Sequence, residues 1–137
     1  MINPKDVIIM RIPYPTINDG LAVKPHMYIC RSQSDKNYKY FKCQTLKPYM
    51  LIDNPMTYFH DEEADLNRNP FKRKTRIDCD KLFSTYTVSY DDRLKTISRP
   101  NICDDLFKIL ESKLSLHEYG NVKLNEEELK LLNRLIY

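Results

Sequence analysis

"DVIIMRI", Asp6 to Ile12, decides the fold class. Four consecutive apolar residues, three of them β-branched, are too few for a buried helix, and Pro13 and Pro15 halt the run. That combination is a strand. Asn18-Asp19-Gly20 supplies the chemistry of a chain reversal. "KPHMYIC", Lys24 to Cys30, then resumes the strand pattern, with Pro25 tolerable at a first or edge position. "SQSDKN" marks a second turn and "YKYFKCQT" a third strand. The chain is therefore expected to open as a hairpin meander and to be mainly β.

Leu46 to Lys74 reads as long and irregular, with Pro48, Pro55 and Pro70 and the acidic run His60-Asp61-Glu62-Glu63. Loops of that length tend to be functional. "TRIDCDKLFSTYTVSY", Thr75 to Tyr90, returns to strand composition. Two helices close the chain. Asn101 is the expected cap of the first, whose apolar stripe is Ile102, Leu106, Ile109, Leu110 and Leu114. In the second, Asn125 caps with Glu128 three residues on, and Leu124 and Leu129 occupy the staple positions. Leu129, Leu132, Leu135 and Ile136 form its buried face. Residues 1–137 are read as one domain, long enough to bury a core.

With 42% hydrophobic and 30% charged residues, the composition is that of a folded domain rather than a disordered tail. No apolar run approaches a membrane span or a secretory leader, so the cytoplasm is the expected location. The four cysteines form no C-x-x-C pair and read as reduced thiols. Only two glycines argue against a Gly-rich phosphate loop, while ten tyrosines offer rings for strands or for base stacking. The net charge of +3 is unevenly spread. From Asn101 onward seven acids meet five bases, which leaves +5 on residues 1–100. Its focus is "NRNPFKRKTR", where Arg68, Lys72, Arg73, Lys74 and Arg76 meet no acid between Leu66 and Ile77. Such a cluster is a polyanion footprint or a solvated loop.

His26, His60 and His117 are isolated, and no spacing of metal ligands occurs, so neither metal nor cofactor is called for. A basic, Tyr-rich, strand-based chain points instead to chemistry on RNA. RNA carries its own nucleophile, the 2′-hydroxyl. Cleavage needs a base, a proton for the leaving 5′ oxygen, and donors around the charged phosphorane. Alternation along the second strand places Lys24, His26 and Tyr28 on one face. His26, with a reference pKa near 6.5, suits the base; lysine, near 10.4, suits charge stabilisation or proton donation.

The order of "KDVIIMRIPYP", "KPHMYIC", "KCQTLKP" and "KRKTRIDCDKLFSTYTV", followed by a helix, resembles the MazF/PemK family of toxin–antitoxin ribonucleases over about residues 5–114. Asp6-Val7-Ile8 matches the family's opening strand without its glycine, and Lys24-Pro25 replaces its Arg-Pro pair. Thr45 fits the hydroxyl residue that ends a later strand. The resemblance implies an SH3-like small β-barrel with C-terminal helices, about 121–137 being an added helix. It implies a homodimer, a cognate antitoxin, and metal-independent cleavage of single-stranded mRNA at short sequences. Lys24 and Thr45 are then the catalytic pair; the alternation adds His26 as the candidate base, and the charge cluster adds Lys72, Arg73, Lys74 and Arg76 as candidate substrate contacts. Lysine at position 24 is a point charge where the family has a planar fork. A protein of the same kind that binds RNA or a protein without cleaving is the rival expectation, and a plain interaction scaffold a third.

Overall fold

A computed structural model describes residues 1–13, 24–52, 54 and 56–137. The reversal expected at Asn18 to Gly20 lies outside them. Strands β1 (Val7–Met10), β2 (His26–Ser34) and β3 (Asn37–Thr45) form the expected antiparallel meander. The β2–β3 reversal uses Asp35 at φ 55°, a left-handed conformation that Asp tolerates better than most residues. A register shift between Cys30 and Ser32 leaves Arg31 as an extra residue. The bulge aims Arg31 at Glu111 across the sheet face, at 2.9 and 3.1 Å.

The second edge of β3 is shared. Its last residues pair with β5 (Thr75–Asp78) through Cys43↔Ile77, Gln44↔Arg76 and Thr45↔Thr75. Its first residues pair with β6 (Lys81–Thr85) through Tyr38↔Thr85 and Tyr40↔Phe83. β4 (Phe59–Glu62) lies antiparallel on β5, and β7 (Gly120–Lys123) lies parallel on β6. Helices α1 (Tyr49–Ile52), α2 (Asp104–Ser115) and α3 (Glu126–Leu132) and a short 3-10 turn at Asp92–Leu94 complete the described elements.

This mixed α/β sheet corrects the expected SH3-like barrel. β1 stands at one side of the sheet and β4 and β7 at the other, with no pairing between them. The outer edge of β1 is met by coil instead: Val7 N–H donates to Pro100 O at 2.8 Å, and Thr96 N–H to Val7 O at 3.0 Å. The reason lies in the packing. A small closed barrel has one interior, whereas this sheet has apolar side chains on both faces. Val7, Ile29, Phe41, Cys43, Ile77 and Leu82 pack with Leu106, Leu110 and Leu114 of α2. Ile8, Met10, Tyr28, Cys30, Tyr40 and Phe83 pack with Leu124, Leu129 and Ile136. Each fully buried leucine contributes about 1.5–3 kcal/mol, and a sheet covered on both faces has no empty interior to close around.

Asn125 caps α3 as expected, its side chain accepting from Glu128 N–H at 3.1 Å. Asn101 does not cap α2. That position belongs to Cys103, whose Sγ accepts from Leu106 N–H at 3.4 Å, while Asn101 bridges to Asp6. All of the acidic run but Glu63 lies in strand β4 rather than loop, and Gly120–Lys123 is strand rather than the start of a helix. All four cysteines are free. Among the described residues no helix is long and apolar enough to cross a membrane.

Candidate functional site

β2 begins, and β3 ends, at the same end of the sheet, and β5 starts beside them. A cleft of about 380 Å³ opens there. Register explains its floor. Ile9, Met27 and Cys43 lie opposite one another across β1, β2 and β3, on the face that α2 covers further along. Phe71, buried, closes the apolar side. The polar lining comes from strand ends and from the loop before β5: His26, Gln44, Thr45, Thr75, Lys72 and Arg73.

His26 is half-buried, and its Nδ1 lies 3.0 Å from the carbonyl oxygen of Lys24. A carbonyl only accepts, so Nδ1 carries the proton and Nε2 keeps a lone pair in the neutral ring. Burial lowers the His26 pKa below its ordinary value; the bond to the Lys24 carbonyl opposes that, and the Lys24 charge adds to it. The ring is therefore neutral at neutral pH, the form a base requires.

Thr45 and Thr75 face each other across β3 and β5, but their hydroxyls have different occupations. Thr75 Oγ1 donates to Arg73 O at 2.9 Å and so pins the loop that carries Lys72 and Arg73. Among the described residues the Thr45 hydroxyl has no hydrogen bond, which leaves it available to a ligand.

The basic run does not act as one surface. Lys72 and Arg73 are exposed, line the cleft and form no ion pair among the described residues. Lys74 is 3.1 Å from Glu63. Arg68 donates to Glu62 at 2.8 Å. Arg76 is buried, with two bonds of 2.8 Å to Asp61, a third to Met50 O, and its guanidinium 3.9 Å above the Phe59 ring. The Arg76 guanidinium is thus occupied within the fold and does not line the cleft. Asp61 and Glu62 come from β4 and Glu63 directly follows it; the β4–β5 register sets Asp61 opposite Arg76.

Lys24 is exposed and precedes β2; the cleft is lined by its neighbour Pro25 rather than by Lys24 itself. Tyr28 is fully buried, edge-on to Tyr40 and Phe83, and takes no part in the cleft. Of the expected site residues, His26, Thr45, Lys72 and Arg73 come together. Ile9, Met27, Gln44 and Phe71 also line the cleft, and nothing in the sequence marks them beyond ordinary strand and core character.

No protein-family model matches the chain, and no curated protein matches it. The resemblance to MazF/PemK toxins thus stands on the quoted motifs alone. The designation as an SH3-barrel toxin of that family is corrected to a mixed α/β chain with an open sheet.

Proposed function

We propose that the cleft binds single-stranded RNA and cleaves it without a metal, by attack of the 2′-hydroxyl on the adjacent phosphate. The observation that carries this reading is that His26, Thr45, Lys72 and Arg73, drawn from distant parts of the chain, line one cleft with an apolar floor. A base settles on Ile9 and Met27 while the phosphate meets the cationic rim. His26 Nε2 takes the 2′-proton, and the new 2′-O–P bond forms as the P–O5′ bond breaks. The Thr45 hydroxyl and the Lys72 and Arg73 cations stabilise the phosphorane, and solvent protonates the leaving oxygen at the open mouth. The products are a 2′,3′-cyclic phosphate and a 5′-hydroxyl.

The test is a short RNA incubated with the protein in EDTA, its ends identified by mass spectrometry. Cyclic phosphate ends, absent when the substrate is 2′-deoxy, support the reading. Binding without cleavage supports the rival, a module that holds RNA, and the position of Lys24 outside the lining favours that rival. Self-association and a protein partner also belong to this reading. Tyr49, Leu51 and Ile52 of α1 expose apolar surface for one of them, and light scattering measures the first.

A further inference from the structure

We infer that the cleft continues past the end of β1 into a second recess that holds a neighbouring phosphate of the same RNA strand. The inference rests on the RNA reading above and extends it from a point of cleavage to a track. The second recess, of about 230 Å³, is separated from the first by Ile9 and Pro25, which line both. Met10, Leu94 and Leu132 give it an apolar floor, and Arg11 and Arg134 stand on it. Both arginines are exposed, and neither forms an ion pair among the described residues.

Their juxtaposition is built, not incidental. Asn133, buried, caps the C-terminus of α3 and clasps the backbone of Arg11 in both directions. Its Oδ1 accepts from Arg11 N–H at 2.7 Å, and its Nδ2 donates to Arg11 O at 2.6 Å and to Leu129 O at 2.9 Å. Arg134 follows directly. One side-chain amide therefore fixes a cation of the β1 end beside a cation of the α3 end, although they are more than a hundred residues apart in the chain.

Each recess pairs an apolar floor with two cations, Lys72 and Arg73 in the first and Arg11 and Arg134 in the second, and the two recesses meet at Ile9 and Pro25. Alternation of apolar recess and cationic rim is the pattern of a base–phosphate repeat. An acidic peptide would satisfy the cations and leave both floors uncovered, so the chemistry favours single-stranded RNA.

The experiment compares a fluorescent dinucleotide, which fills only the first recess, with a hexanucleotide of mixed sequence. Arg11→Ala combined with Arg134→Ala should weaken hexanucleotide binding about tenfold or more. The salt slope should fall by about 1.4, two contacts at about 0.7 each on a single strand, with dinucleotide binding unchanged. Arg11→Lys with Arg134→Lys should retain the slope, which separates charge from any disturbance of the fold. If the wild type binds both RNAs and the alanine variant behaves like it, the second recess is no subsite and the inference falls while the RNA reading stands. If the variant loses both RNAs equally, the inference falls too. If the wild type binds neither, both fall. A hexaglutamate peptide bound as tightly as the hexanucleotide would overturn RNA in favour of an acidic protein partner.

Discussion

Lys72 and Arg73 share one short run with Arg68, Lys74 and Arg76, yet the two sets live in different electrostatics. The first pair is exposed at the mouth of the cleft with no counter-charge among the described residues. The second set is answered by Asp61 and Glu62 of β4 and by Glu63, which directly follows it. A linear tally of charge treats the five alike. The sheet sorts them, because β4 pairs with β5, and its acids with the Glu63 that follows stand beside three of the five cations. Charge density along a chain is thus a poor guide to a polyanion site until the strand that folds back on it is known.

The largest expected effect lies in the paired set. Arg76→Ala removes two bonds to Asp61, one to Met50 O and the contact with the Phe59 ring, and leaves a half-buried carboxylate without its partner. A cost of about 3 kcal/mol is expected, read as a lower urea midpoint. A cost below about 1 kcal/mol would place the pair with ordinary surface bridges. The pH dependence carries the same signature. Hydrogen bonding from Arg76 holds the Asp61 carboxyl below its usual range. Burial would raise that of Glu62, but bonds from Arg68, His60 and Asn69 outweigh it and lower it. Groups whose folded pKa is depressed contribute stability above their unfolded pKa, near 4, and lose it as pH falls through the folded value. Wild type should weaken over that acid range, and Arg76→Ala should weaken less steeply.

His26 comes next, and it tests the unpaired side. His26→Ala should lower cleavage by about a hundredfold or more, the usual scale for a positioned base. The wild-type rate should fall on the acid side with an apparent pKa below about 6.5, because burial shifts the ring downward and only the neutral form accepts a proton. A rate that is flat down to pH 4 would remove His26 from the chemistry.

Smaller again is the binding contrast within the run. Replacing Lys72 and Arg73 with alanine should change stability by no more than about 0.5 kcal/mol while reducing the salt slope of RNA binding by about 1.4. Lys74→Ala, which breaks only the pair with Glu63, should leave that slope within a few tenths. Equal slopes for the two variants would mean that the division of the run has no consequence for binding.

The same contrast shows what the sequence makes legible. β1, β2 and β3 announce themselves through β-branched content and turn residues, and Asn125 with Glu128 marks α3, because these signals are local. His26, Thr45, Lys72 and Arg73 are legible by residue type and land in one cleft. β4 is not legible, since "FHDE" is mostly polar and takes its strand geometry from antiparallel pairing with β5, a partner that only the fold brings beside it. β7 is four residues long and mostly exposed, held by parallel pairing to β6. The open sheet is hidden for a related reason. An alternating strand shows that two faces differ, but the clusters on both faces are assembled from helices far along the chain. Arg11 is read only as the end of a strand until Asn133 brings Arg134 beside it.

Lys24 should give the smallest effect, and it probes where the cleft ends. Its side chain is exposed and lies outside the lining, so Lys24→Met should lower the plateau cleavage rate by less than about tenfold, well short of the loss usual for one transition-state donor. The substitution keeps the backbone carbonyl that orients His26 Nδ1, so the tautomer is preserved. What changes is the field. The Lys24 charge adds to the lowering of the His26 pKa; without it that pKa should rise and the acid limb of the rate profile should move toward pH 6.5. Lys24→Arg keeps the charge and should leave the limb in place. A shifted limb with a nearly unchanged plateau makes Lys24 a residue that tunes the base from outside the cleft. A hundredfold loss in Lys24→Met, restored in Lys24→Arg, would instead bring its cation onto the phosphorane.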